Sequence, residues 1–510
     1  MMRQVNHSPL GEMTVWMMAA LMPGLVGIPI EGAHAEVKPG ITFELPEICE
    51  TDLEQIPPEP GPASENVPIA MLSPGNNPLV LPDRPAEVAI TEQQPISLAQ
   101  AIELAYRNNP ELETARLAVE RRQAALAEAL ASLYPTIDLN AGVDVLTNPT
   151  LGRGPDDADN LSTVGALTAD VAAAYDILTG GERQARIQSA ELQLQQQELA
   201  LEQAQEELRS QTSLAYYDVQ SARERIRISQ DFLAESCRNL RDTILFFDAG
   251  VGTRFDVLRA DVQVAQARQD LVLSRSTWRT AQRRLASLLN LPSDTTITTT
   301  NVRIGGIWPL TLEESIVLAF QNRAELEGDL LQRDVAAAQR QIALSSIRPQ
   351  LQAAGSVNAA LALSDVASAN IPGLDSNTSA GFGLQLGGRW RVFDGGAAVA
   401  RAHQAERDQD IAETSLAQSR NQIRLQVEES YFNLEANLAN IDTARTALEQ
   451  AREALRLARR RFDAGVGDQL EVLTAQRELT EAQVQLLEAV LGYNRSLTTL
   501  ERAVSNIAEE

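Results

Sequence analysis

The chain consists of two copies of one sequence pattern, offset by about 215 residues. The clearest match is the string FDAGVG, which occupies Phe247–Gly252 and recurs at Phe462–Gly467. Shorter matches keep the same order in both halves: Ser97-Leu98 with Thr311-Leu312, Leu104–Asn108 with Leu318–Asn322, Tyr134-Pro135 with Arg348-Pro349, and Tyr175-Asp176 with Phe393-Asp394. We therefore expect both halves to adopt the same fold, so any interpretation of one half must also suit the other.

Each half contains a very long helical segment, predicted at 182–247 and at 397–462, without proline or internal glycine. At 1.5 Å per residue, each helix is roughly 100 Å long, too long for a compact domain. Apolar residues recur every seven positions, which is typical of a coiled coil. These rows are Val219, Ile226, Leu233, Leu240 and Phe247, then Leu434, Ile441, Leu448, Leu455 and Phe462. Glycines follow each row and predict a tight turn into an antiparallel helix.

Alternating strands precede each long helix and form two predicted β-hairpins, at about 136–176 and about 350–393. From Thr136 to Val145, apolar side chains occupy every second position. Alternation over about ten residues fits a strand that crosses a bilayer, although a half-buried strand of a soluble sheet gives the same pattern. Four such strands in a chain with only 4% aromatic residues favour the membrane interpretation. Since four strands cannot close a barrel, copies must combine, giving eight strands as a dimer or twelve as a trimer.

The first hundred residues have a different composition. Residues 1–35 resemble a secretory signal, with an apolar run followed by Ala33-His34-Ala35. Residues 36–95 are rich in proline and acidic residues and predict a flexible linker. The remaining boundaries place a first repeat at 96–292, a connector at 293–309 and a second repeat at 310–505. Within the repeats, the tips are predicted at 247–253 and 462–468, and the return helices at about 254–289 and about 469–505.

Composition also excludes several functional classes. The net charge of −26 disfavours a nucleic-acid partner. The two cysteines, Cys49 and Cys237, allow one disulfide but no cysteine-rich metal site, and no catalytic constellation can be assembled around His403. Gly180-Gly181 and Gly395-Gly396 lack the spacing of a phosphate-binding loop. We therefore expect neither enzymatic activity nor a cofactor or metal site.

The duplicated helix–hairpin–helix layout resembles the TolC family of outer-membrane efflux proteins. The resemblance covers about residues 96 to 505 and includes Val392–Gly396 at the strand-to-helix junction and Leu470–Leu473 after the second tip. It implies an α+β membrane protein that forms, as a homotrimer, a twelve-stranded outer-membrane β-barrel and a long periplasmic α-helical barrel. It also implies a passive duct supplied by a periplasmic adaptor and an inner-membrane pump or ABC transporter, in efflux or type I secretion.

The same resemblance assigns roles to residues at the tips. The candidates for adaptor contact are Gly250, Val251, Gly252, Gly465, Val466 and Gly467. Asp256 and Glu471 match acidic residues that face the pore near the gate. A second acidic position of the family is Thr474 here, and a gating Tyr and Arg fall on Phe462 and Gly467, so the resemblance does not extend to the family's double acidic ring or its polar latch. Alternatively, Asp256 and Glu471 are ordinary acids at helix N-termini, where the helix dipole favours them.

The main competing hypothesis is a periplasmic coiled-coil adaptor or scaffold. Such adaptors also carry a long helical hairpin, but usually one, flanked by β-rich segments. Two hairpins and four amphipathic strands favour the channel.

Overall fold

The computed structural model describes residues 45–46, 48–51, 83–90, 92–150, 160–363 and 376–505. The predicted signal at 1–35 and most of the predicted linker lie outside these residues. Within the described ranges, no helix is both long and apolar enough to span a bilayer.

The described elements follow the duplicated order that the sequence predicts. The first repeat contains β1 (Glu92–Ile96), α2 (Leu98–Asn108), α3 (Pro110–Ala131), β2 (Thr136–Thr150), β3 (Asn160–Leu178), α4 (Glu182–Asp248) and α5 (Arg254–Leu288), after a short α1 (Ile48–Thr51). The second contains α6 (Leu312–Asn322), α7 (Ala324–Ser345), β5 (Gln350–Leu363), β6 (Ser376–Arg389), α8 (Ala397–Asp463) and α9 (Gln469–Val504), after β4 (Thr295–Thr299) in the connector.

The two long helices, α4 and α8, contain 67 residues each. Each follows a glycine in the left-handed conformation, Gly181 at φ 92° and Gly396 at φ 87°, which side chains with a Cβ rarely adopt. The predicted heptad rows are buried, with Phe247 and Phe462 half-buried at their ends. This confirms the coiled-coil prediction for both long helices.

The four strands that we predict to cross the membrane form one antiparallel sheet in the order β2-β3-β5-β6. One register row joins Leu139, Val171, Val357 and Phe382, so their side chains share a face. All four are exposed, between 45% and 84%. On the opposite face, Asn140 donates a hydrogen bond to Asp170 across β2 and β3 at 3.1 Å. The sheet therefore has one apolar exposed face and one polar face, as the alternation predicts.

The predicted hairpin ends need correction. The first hairpin extends to Leu178, not 176, whereas the second ends at Arg389, not 393. Alternation continues past Arg389, but no strand partner extends that far because β5 begins at Gln350, opposite Arg389. The Trp390 indole N–H instead donates to the carbonyl of Ile347, at 3.0 Å.

The helices form a row in which α5 and α9 both pack against α4, and α8 packs against α9. The short helices α3 and α7 pack on other parts of α4 and α8. At the junction of α2 and α3, the Asn109 amide donates to the carbonyl of Leu288 at 2.9 Å, and the Asn290 amide donates to the carbonyl of Asn108 at 3.0 Å. The end of α5 therefore meets α3, so two shorter helices together flank one long helix.

The prediction that 36–95 is wholly a linker is wrong. Residues Glu92–Ile96 form β1, which pairs in parallel with β4, and Ile96 is buried. The Tyr216 hydroxyl donates to the carbonyl of Ile96 at 3.0 Å, which attaches β1 to the middle of α4. Proline-rich composition concealed this strand, which contains Pro95 itself. The connector 293–309 likewise contains a strand.

The two cysteines form a disulfide, the possibility that the sequence had left open. Their Cα atoms are 5.5 Å apart, and both side chains are only 4% exposed. The bond attaches a second part of the predicted linker to α4. Such bonds persist in oxidising compartments, the periplasm among them.

Candidate functional site at the hairpin tips

The first tip reverses the chain between α4 and α5 within five residues, 249–253. Gly250 adopts φ +75°, and the N–H groups of Val251 and Gly252 both donate to the carbonyl of Phe246, at 3.0 and 2.9 Å. A Cβ at Gly252 would lie 2.9 Å from the backbone nitrogen of Phe247. Both glycines are therefore required, one for its dihedral angles and the other for close backbone approach.

The second tip repeats this geometry between α8 and α9. Gly465 adopts φ +69°, and the N–H groups of Val466 and Gly467 donate to the carbonyl of Arg461, both at 3.0 Å. At the apex, Val251 is 77% exposed and Val466 is 70% exposed. Each tip therefore presents one exposed valine on a turn that is ordered by its own backbone hydrogen bonds.

The acidic candidates occupy the first turns of the return helices. Asp256 completes a capping box: its N–H donates to the Thr253 hydroxyl at 3.2 Å, and its carboxylate accepts from the backbone N–H of Thr253 at 3.3 Å. Glu471 accepts from the Arg461 guanidinium at 2.8 Å. Both acids thus lie in the first turn of a return helix, a position that is compatible with either role that the sequence allows. Arg461 was not identified from the sequence. The only indication of its role was its position at the end of α8, one turn of chain away from Glu471 at the start of α9.

A cleft of about 420 Å³ separates the two tips. It is lined by five of the eight predicted site residues, Val251, Gly252, Asp256, Gly465 and Gly467. The other three, Gly250, Val466 and Glu471, lie outside its lining. Phe246 and Phe462 meet edge-to-face in the cleft, with ring centroids 5.0 Å apart.

Polar side chains join the two hairpins along the α4–α9 interface. The Gln469 amide, 4% exposed, donates to the Thr243 hydroxyl at 3.0 Å and to the carbonyl of Asp256 at 3.2 Å. Seven residues later, the Gln476 amide donates to the Ser236 hydroxyl at 3.2 Å. The side-chain oxygens of both glutamines are buried without a hydrogen-bond partner. We call these four side chains the polar seam.

The polar seam contrasts with the apolar interfaces inside each hairpin. Buried amide oxygens without partners carry a desolvation cost, which reduces the net stability that the hydrogen bonds of the seam contribute. Nearby, burial and then the negative charge of Asp463 raise the pKa of Asp242. The seam was not predictable from sequence, because isolated glutamines on a long helix usually face solvent.

Within the described ranges, no cluster of His, Cys, Asp or Glu could hold a metal ion. The tips offer rigid turns, exposed valines, acids and a polar interface, a set suited to contact with a partner. A profile described as outer membrane efflux protein matches residues 101–291 and 315–506, which is most of the chain and both repeats. The chain belongs to the outer membrane efflux protein family.

Curated relatives of this efflux protein agree with the family. The chain is 26% identical to protein CyaE of Bordetella pertussis over 80% of its own length and 84% of that protein. It is 28% identical to the pyoverdine export outer membrane protein OpmQ of Pseudomonas putida, over 80% of this chain and 85% of that protein. It is 22% identical to the outer membrane protein TolC of Vibrio cholerae, over 81% of this chain and 92% of that protein.

Solved structures share the fold. The outer-membrane channel OprN superposes with a TM-score of 0.67 at 20% identity, covering 80% of this chain and 89% of that one. The outer membrane protein VceC of Vibrio cholerae superposes with a TM-score of 0.64 at 18% identity, covering 80% of this chain and 96% of that one. Family and fold together confirm the resemblance, the fold class and the outer-membrane location with a periplasmic helical part. They make the chain an efflux channel protein and not a periplasmic adaptor or scaffold.

Proposed function

We propose that three copies of this efflux protein close into one duct, with a twelve-stranded barrel in the outer membrane and a helical barrel in the periplasm. The observation that carries the proposal is the open sheet, whose outer strands β2 and β6 each have one unpaired edge within the described part of the chain. Unpaired backbone groups cost several kcal/mol each in lipid, so the edges require partners. Pairing β6 of one copy with β2 of the next gives both edge strands a hydrogen-bonded neighbour.

The helical row supports the same closure. Its outer helices, α5 and α8, carry exposed apolar residues on the side away from their neighbours. On α5 these are Phe255, Leu258 and Val262, between 46% and 62% exposed, at the three- and four-residue spacing of a packing stripe. On α8, Phe432 and Leu457 are 55% and 48% exposed. Packing α5 of one copy on α8 of the next would bury the α5 stripe near Leu457, which lies at a similar distance from its own tip.

The tips are the proposed contact with a periplasmic adaptor, through Gly250, Val251, Gly252, Gly465, Val466 and Gly467. Exposed valines on rigid turns provide apolar anchors at low entropic cost, because the backbone is already ordered before binding. An adaptor bound here would connect the duct to an inner-membrane pump or ABC transporter, which supplies the energy. The chain itself would conduct passively, in efflux or in type I secretion.

The tips also form the proposed gate. Three copies would place six carboxylates, from Asp256 and Glu471, around the periplasmic end. Separation along the polar seam would widen that end, and the Arg459–Glu235 ion pair and the Phe246–Phe462 contact, which both join α8 to α4, would oppose it.

The assembly is tested by light scattering and circular dichroism in mild detergent, where we expect a trimer with full β-content. Val262→Glu should shift the protein toward monomers by placing a carboxylate in the α5–α8 contact. Thr277→Glu on another exposed face of α5 is the matched control. A monodisperse monomer with full β-content, or equal effects of the two variants, would refute the trimeric duct.

A further inference from the structure

A groove on α4 carries more arginines than acids, in a chain whose net charge is −26. The groove is a cavity of about 420 Å³, and it is lined by Arg225, Arg284 and Arg495 together with Asp218 and four hydroxyl side chains. Residues 271–288 of α5, which include Arg284, contain four arginines and no acidic residue. Arg225 lies about 23 residues before the end of α4, roughly 35 Å from the tip. We call the three arginines the arginine belt.

Two arginines of the belt are oriented by acids. Arg225 and Arg495 both form ion pairs with Glu488, at 2.9 and 3.3 Å. Arg495 is also paired with Asp218, at 2.9 Å. A guanidinium group has five N–H donors, so these ion pairs fix the two side chains without using all their donors. Arg284 is exposed and makes no ion pair or hydrogen bond within the described ranges, so its charge is uncompensated.

These charges are not required for helix packing, because the second repeat packs without them. The offset of 215 residues that relates α4 to α8, and α5 to α9, places an uncharged residue at each of the five duplicated positions. These residues are Asn433 for Asp218, Asn440 for Arg225, Thr499 for Arg284, Thr280 for Arg495 and Leu273 for Glu488. The arginine belt is therefore a departure from the duplicated pattern.

The groove lies on the face of α4 that continues from the polar side of the four-stranded sheet. Near the start of α4, Arg186 lines a cavity together with Thr136 and Gln352 of that polar side. Steps of seven residues along α4 lead from Arg186 to Gln193, in a second cavity, and to Ser221, in the groove. Residues seven apart keep the same face of a coiled coil. Since the polar side of the sheet encloses the lumen of the proposed duct, the groove opens into that lumen.

We propose that the arginine belt binds anionic groups of the exported cargo, phosphates or carboxylates, as the cargo passes through the duct. Guanidinium groups match both anions with paired N–H···O hydrogen bonds. Arg284 supplies the uncompensated charge, and Arg225 and Arg495 supply oriented donors. The role in export rests on the proposed function, because only a closed duct places the arginines of three copies around one lumen. The site itself is formed by residues of a single copy.

The first test is isothermal titration of the full chain, in mild detergent at low salt, with tripolyphosphate and with citrate. At least one anion should bind, and Arg284→Gln should weaken that binding about ten-fold through loss of a charge-assisted hydrogen bond. Arg268→Gln is the matched control, because Arg268 is an exposed arginine of the same helix that projects about 160° away from Arg284. It should bind like the unmodified protein. Binding of neither anion, or equal effects of the two variants, would overturn the anion site.

The second test is conductance in planar bilayers, with the bound anion added on the side of the β-barrel. The anion should reduce the current, and Arg284→Gln should raise the half-blocking concentration about ten-fold. If Arg284→Gln weakens binding in the titration but leaves the block unchanged, the belt lies outside the path of the cargo and its role in export is overturned. A protein that binds the anion but forms no channel contradicts the proposed duct and not the anion site.

Discussion

Gln469 gives the sharpest test of the polar seam as the closing contact of the duct. Gln469→Ala removes two hydrogen bonds that the amide donates, to the Thr243 hydroxyl and to the carbonyl of Asp256. At about 1 kcal/mol net for each bond, the closed arrangement loses about 2 kcal/mol per protomer. Since 1.4 kcal/mol is a factor of ten, the ratio of separated to closed hairpins should rise roughly 30-fold.

Single-channel recording in planar bilayers measures this ratio as the fraction of time spent in wide conductance states. The matched control is Gln485→Ala on the same helix, where the amide donates only to the exposed Glu481 carboxylate at 3.3 Å. We expect Gln485→Ala to gate like the unmodified protein. If Gln469→Ala leaves the open fraction unchanged, or if Gln485→Ala raises it equally, the seam does not hold the duct closed.

Three further predictions concern the tips and the middle of α4. Replacing Gly250 and Gly465 with Val should destabilise each turn by about 1 kcal/mol or more, because both have positive φ, and should abolish export with membrane insertion retained; surviving export and adaptor cross-linking would remove the tips as the docking site. Replacing Asp256 and Glu471 with Ala should remove most of the block by multivalent cations from the periplasmic side at low salt, with trimer assembly unchanged; a persistent block would leave both as helix-start acids. Burial raises the pKa of Glu206, so the folded state binds the proton more tightly than the unfolded state, and unfolding free energy should fall as pH rises from the ordinary glutamate range through the raised pKa. Glu206→Gln should remove this dependence and raise the thermal midpoint at neutral pH, measured by calorimetry, and an unaltered pH profile would contradict the assignment.

The elements with strong periodicity were predictable from the sequence. The heptad rows of α4 and α8, the FDAGVG turns and the alternation of β2 each repeat in both halves, so two independent segments supported every assignment. A helix or strand that buries one face carries apolar residues at a regular spacing, and this spacing can be recognised in the sequence.

Contacts between distant segments left no such trace. The strand β1 contains a proline and lies in an acidic, proline-rich stretch, and only its pairing with β4 shows that it is ordered. The Cys49–Cys237 bond and the pairing of Gln469 with Thr243 join residues far apart in the chain, so neither produces a local pattern. At the candidate site, the sequence therefore located the turns and acids but missed Arg461 and the seam.

The equal length of α4 and α8, 67 residues each, limits how this protein can evolve. An insertion of seven residues in one helix would preserve its heptad row but would extend that hairpin by about 10 Å. The two tips would then lie at different heights, and Gln469 would no longer face Thr243. Lengthening the duct therefore requires matched insertions in both repeats, including the return helices α5 and α9. Homologues that span wider or narrower periplasms should differ by paired insertions or deletions, in multiples of seven and at duplicated positions.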